Sequence, residues 1–96
     1  MNVEIEFIGF PTIYDIFQEG YHACDFSGNS LWELIEDLID RYGARVKESL
    51  MDPKSQTLDP ALQIMINQQF ITEDDFYRQK IEGGDKITFL RLLAGG

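Results

Sequence analysis

Apolar and polar residues alternate from the start of the chain: Val3, Ile5 and Phe7 are interleaved with Asn2, Glu4 and Glu6. A period of two sends successive side chains to opposite faces, so this stretch is a half-buried strand that runs out at Gly9-Phe10-Pro11. Between Thr12 and Gly20, the residues Ile13, Tyr14, Ile16 and Phe17 fit either a helical turn or an irregular loop packed on the core. Tyr21 to Phe26 reads as a second strand returning antiparallel to the first, with His22, Cys24 and Phe26 on one side and Tyr21, Ala23 and Asp25 on the other.

The period then changes. Ser30 is a good helix N-cap and Glu33, three residues on, completes a capping box. Leu31, Leu34, Ile35, Leu38, Ile39 and Tyr42 follow at i, i+3, i+4, i+7, i+8 and i+11, one continuous apolar face, while Glu33, Glu36, Asp37 and Asp40 fill the polar side. Gly43 is the expected terminator, and Trp32 falls off the stripe, at the rim. Each stripe residue, fully buried, contributes roughly 1.5–3 kcal/mol, so this helix supplies a large part of the core. A second short helix is expected over 44–51, with Val46 and Leu50 four apart, and 52–57 reads as a mobile surface loop.

Leu62, Ile64 and Ile66 alternate with Gln63, Met65 and Asn67 as a third strand. A hairpin turn is expected at Gln68-Gln69, followed by a short strand at Phe70-Ile71. The turn Ile81-Glu82-Gly83-Gly84-Asp85 leads into the last strand, where Ile87 and Phe89 face inward and Thr88 and Leu90 outward. This order is α+β. With the first strand central and the last parallel beside it, one amphipathic helix covers a mixed sheet of four to five strands, which is the β-grasp (ubiquitin-like) fold. The opposite face is then left open, with Ile8, Phe10, Met65, Leu90 and Leu92 on or near it, a candidate docking patch.

Charge narrows the partners. Seventeen acidic against eight basic residues give a net charge of -9, which repels nucleic acid and anionic membranes and favours basic protein surfaces. Glu73-Asp74-Asp75 has neither a histidine nor a glycine loop to make it a cation site and reads as a solvated turn. Cys24 is the lone cysteine and His22 the lone histidine. In a strand they share a face, but a small buried thiol explains Cys24 better than a nucleophile does. No signal-peptide or membrane-spanning run occurs, and a cytoplasmic location is expected. The 96 residues are read as one domain, 1–96, with a tail over about 91–96.

That tail ends Leu93-Ala94-Gly95-Gly96. With Gly at about 7% of residues, two together at an end are a chance event in roughly one chain in 200. Without side chains, Gly95 and Gly96 can enter a slot too narrow for other residues, and Ala94 is small. Taken as the C-terminus, Gly96 offers its α-carboxylate as the reactive group.

Ser30-Leu31-x-Glu33-Leu34-Ile35-x-x-Leu38, then Arg41-Tyr42-Gly43, resembles the helix of the molybdopterin synthase small subunit. Ile64-Met65-Ile66-Asn67 is similar to its third strand, and the run from Ile81 to Leu90 ahead of Ala94-Gly95-Gly96 to its end. Residues 27–96 resemble the ubiquitin-like sulfur carriers of the MoaD/ThiS family, closest to the molybdopterin branch because thiamine-pathway members have less chain between helix and third strand. The chain departs from that family where Arg91-Leu92 replaces Pro-Pro, at Asn67-Gln68-Gln69 in place of Asn-Gly, and at Pro11.

The resemblance implies a carrier, not an enzyme acting alone. A ubiquitin-activating-type enzyme would spend ATP to adenylate the Gly96 carboxylate, and a persulfide sulfur would then leave a thiocarboxylate. That sulfur would go to a pterin precursor on the molybdopterin synthase large subunit. No cofactor or metal is bound by the carrier. Ala94 and Gly95 would pass through the partner's channel, with Phe10, Met65, Leu90, Arg91, Leu92 and Leu93 contacting the partner. Two other functions compete: a sulfur carrier or modifier of another pathway (thiamine, cysteine or protein tagging), and a ubiquitin-like interaction domain whose terminus is never activated.

Overall fold

The alternation of the first and last strands places them side by side. In the computed structural model, which describes residues 1–91, β1 (Asn2–Ile8) buries Val3, Ile5 and Phe7, and β5 (Lys86–Arg91) buries Ile87 and Phe89. The two are parallel, in register from Glu4↔Lys86 to Ile8↔Leu90. β2 (His22–Asp25) pairs antiparallel on the outer side of β1. β3 (Leu62–Ile66) pairs antiparallel with β5, and β4 (Gln69–Ile71) with β3. The sheet order β2-β1-β5-β3-β4, with its central parallel pair, is the β-grasp fold.

Helix α1 (Leu31–Tyr42) begins at Ser30, whose Oγ accepts the Glu33 N–H at 3.2 Å and donates to the Glu33 carboxylate at 3.0 Å. The carboxylate also takes the N–H of Asn29 at 3.5 Å, which closes the box one residue earlier than its usual form. Leu31, Leu34, Ile35 and Leu38 are fully buried, while Ile39 only partly enters the core and Tyr42 lies largely exposed with its ring edge-on to Phe17. Trp32 stays at the rim against Tyr77. Gly43, at φ 80°, ends α1 and starts α2 (Ala44–Leu50), which buries Val46 and Leu50.

Several segments differ from the periodic reading. Pro11–Ile13 is a single 3-10 turn that leads into packed loop, and Ile13 and Phe17 are buried there. Phe10 is buried too, its ring edge-on to Phe7 at 5.6 Å, so it belongs to the core and not to the open face. The cause is Gly9: at φ +86° it breaks the pleat, so the next side chain no longer follows Ile8 outward.

The hairpin turn is Asn67-Gln68, one residue earlier than Gln68-Gln69, with φ 51° and 69° as a two-residue hairpin of this hand requires. Residues 52–57 form a closed loop, tied by Asp52 N–H to Thr57 O at 2.7 Å and Lys54 N–H to the Asp52 carboxylate at 2.9 Å. Thr88 points to the open face as expected but is buried there, its hydroxyl 3.3 Å from that of Tyr21. Among the described residues no helix is long and apolar enough to cross a membrane.

Candidate functional site

The open face is built by register. Ile8 on β1 stands beside Leu90 on β5, Leu90 opposite Gln63 on β3, and Met65 on β3 opposite Phe70 on β4. Side chains of directly paired residues lie about 5 Å apart and diagonal neighbours about 7–8 Å, so the pairs Ile8–Leu90 and Met65–Phe70, joined by the diagonal from Leu90 to Met65 between Gln63 and Thr88, form an apolar stripe across four strands. Phe70 is 62% exposed and Ile8 45%, whereas Met65 and Leu90 are half-buried between their neighbours. Phe70 was absent from the sequence-based candidates; the turn position decides it, because moving the turn back one residue brings Phe70 opposite Met65.

Polar residues border the stripe toward the start of β5. Lys86 lies 3.8 Å from the Glu4 carboxylate and 5.4 Å from the centre of the Tyr21 ring. Open grooves lie at both ends: one of about 480 Å3 beside Ile8, Gly9, Pro11 and Tyr14, and one of about 370 Å3 beside Phe70, Leu62, Thr72 and Phe76. Phe10 borders the first groove from within the core, so among the described residues it is the expected partner contact that the fold withdraws.

Arg91 closes the described part of β5. Its guanidinium is 3.1 Å from the carboxylate of Asp59, a residue only 17% exposed. Leu92, Leu93, Ala94, Gly95 and Gly96 lie outside the described residues.

Cys24 is buried, and burial raises its thiol pKa above the ordinary 9.0, with Arg41 pulling the other way. Its polar neighbour is the Arg41 guanidinium at 3.9 Å, while His22 Nε2 engages the Gln18 carbonyl at 2.7 Å. A raised pKa and a histidine held elsewhere make no activated thiolate. Arg41 also donates to the Asp25 carbonyl and pairs with Asp37 at 2.9 Å, so its charge is spent on closing α1 against β2. Among the described residues no cluster of three or more His, Cys, Asp or Glu could hold a metal ion. Glu73–Asp75 is a surface 3-10 turn whose Asp75 pairs with Arg78 at 3.0 Å.

The ThiS family matches residues 21–96, from the residue before β2 through Gly95-Gly96. The chain belongs to the ThiS family. It is thus one of the ubiquitin-like sulfur carriers and modifiers, small proteins that are not themselves catalysts. CysO from Mycobacterium tuberculosis is similar at 26% identity and a TM-score of 0.71, over 95% of this chain and 99% of that one. One chain of a complex of subunits 1 and 2 of molybdopterin-converting factor from Helicobacter pylori matches at 25% identity and a TM-score of 0.60, over 100% of this chain and 100% of that one. The small archaeal modifier protein 1 of Methanosarcina acetivorans shares the fold at 17% identity and a TM-score of 0.74, over 99% and 96%. No curated protein matches the sequence.

Proposed function

We propose that this ThiS-family chain carries sulfur on Gly96 for molybdopterin synthesis. The observation that carries this reading is the family match that extends through Gly95-Gly96, downstream of an open apolar stripe. A free carboxylate is ionised at neutral pH, with a pKa of about 3.5, and is a poor electrophile. An adenylating enzyme of the ubiquitin-activating type converts it to an acyl-adenylate at the cost of one ATP. A persulfide sulfur displaces AMP, and cleavage of the S–S bond by a second thiol leaves the thiocarboxylate.

The carrier contributes the carboxylate, reach and recognition, and binds no cofactor. Residues 91–96 span at most about 20 Å when extended, enough to enter a deep site while the domain docks outside. The stripe of Ile8, Met65, Leu90 and Phe70 meets the partner, with Arg91, Leu92 and Leu93 at the channel mouth and Ala94 and Gly95 inside. A net charge of -9 suits basic rims on both partners.

The molybdopterin branch is supported by the full-length likeness to the Helicobacter pylori complex. Its two subunits supply the model for a large-subunit partner. The likenesses to CysO and to the archaeal modifier favour a second reading, in which the same terminus serves another sulfur pathway or is joined to proteins. One experiment separates them. The thiocarboxylated chain is mixed with a molybdopterin synthase large subunit and its cyclic pterin substrate. Appearance of the dithiolene pterin with loss of carrier sulfur supports the first reading. A thiocarboxylate that persists, and that reacts instead with an amine or with another acceptor, supports the second.

A further inference from the structure

Arg91 is held from two sides. On the β3 side it is in register with Leu62, and its guanidinium meets one carboxylate oxygen of Asp59 at 3.1 Å. The other oxygen of Asp59 accepts the N–H of Ala61 at 2.9 Å, and the Asp59 N–H donates to the Leu50 carbonyl at 2.9 Å. The acid is therefore fixed by its own loop independently of the arginine.

On the β1 side stands Gly9, the residue after the Ile8↔Leu90 pair, at φ +86°. A Cβ there would overlap the Arg91 carbonyl oxygen and come within 3.2 Å of its carbonyl carbon. Only a hydrogen fits. Gly84, before the opposite end of β5, has nearly the same backbone angle, φ +88°, but a Cβ there would meet nothing within 4 Å.

We propose that Gly9 and the Asp59–Arg91 pair clamp the root of the tail and so are positioning residues for the chemistry at Gly96. This rests on the carrier reading above. Residues 92–96 reach at most about 17 Å, so the position and direction of the chain at Arg91 bound the region that Gly96 can reach. A misplacement of about 1 Å can cost a reaction about 100-fold. A fixed root limits the volume that the terminus must search before it meets an activated phosphate.

The test compares Gly9→Ala with Gly84→Ala in the full chain. Both impose a left-handed alanine, and only the first presses on Arg91. With the cognate adenylating enzyme, Gly9→Ala is expected to lower kcat/KM about 10-fold or more, mostly in kcat because the docking stripe is intact, and Gly84→Ala to leave it within twofold. Asp59→Asn, which keeps an acceptor for Ala61 but not the ion pair, is expected to lower it by about two- to fivefold and to add nothing once Arg91→Gln is present.

The second readout is nuclear magnetic resonance. Gly9→Ala should change the residual dipolar couplings of Arg91 and of residues 92–96, and Gly84→Ala should not. Equal kinetic losses in both glycine variants, or full activity in Gly9→Ala, overturn the clamp. If the unmodified chain is never activated, the carrier reading fails and the couplings alone decide: unchanged couplings in Gly9→Ala reject the clamp, and changed ones sustain it.

Discussion

Asn67 and Gln68 take up the left-handed region without being glycine, at φ 51° and 69°. Such a conformation costs roughly 1–2 kcal/mol per residue. Asn67 offsets this through its side chain, which donates to the Asp85 carboxylate at 2.9 Å and accepts the Lys86 N–H at 3.0 Å. These bonds fasten the β3–β4 turn to the start of β5. Asn67→Ala should therefore lower stability by about 1–3 kcal/mol in a urea titration, since it keeps the strained backbone and loses both contacts.

Cys24 makes a second prediction at this scale. Its thiol pKa is raised by burial, so folding favours the protonated form. The associated stability is complete below the unfolded value of 9.0 and is lost as pH climbs above it toward the folded value. Cys24→Ala should flatten the alkaline limb of the stability curve above pH 9.0, and the native thiol should stay unreactive to aromatic disulfides at pH 7.

At the scale of elements, α1 shows how local chemistry sets a boundary. Ser30→Ala removes the acceptor of the Glu33 N–H and should cost about 1 kcal/mol, with Ser30→Gly costing only a few tenths. Thermal melts of the three chains check the ranking. This helix was legible because its apolar stripe has the helical period over twelve residues, and β1, β3 and β5 because theirs has a period of two.

The core contributions of Phe10, Met51, Leu58 and Phe76 were not legible, since they come from turns and loops where no period exists, and those of Ile13 and Phe17 were legible only as one of two alternatives, a loop packed on the core. Alternation continued past Ile8 puts Phe10 on the open face, but the positive φ of Gly9 ends that alternation and Phe10 turns into the core. Thr88 faces outward as its alternation predicts; its burial depends on Tyr21, the residue just before β2, which period alone cannot bring near.

At the scale of the molecule, the helix and the sheet's inner face make the core, and the outer face is left with its apolar stripe. Of the candidate site, Met65 and Leu90 were legible from alternation, whereas Phe70 depended on the turn register. The stripe should carry docking with little role in folding. Leu90→Asp should weaken binding to the adenylating enzyme by at least about 10-fold in calorimetry, since a hot-spot side chain contributes about 2 kcal/mol or more. The same variant should keep the parent's far-ultraviolet circular dichroism, because Leu90 is half-buried on the outer face and not in the core cluster.

The central claim, that Gly96 is the group on which sulfur travels, is tested most directly by the intact mass of the chain. The measurement follows incubation with ATP, a sulfur donor and the cognate adenylating enzyme. The parent chain should exchange one terminal oxygen for sulfur, and Gly96→Val should not. An unchanged mass in the parent, or exchange at the parent's rate in Gly96→Val, would contradict the account.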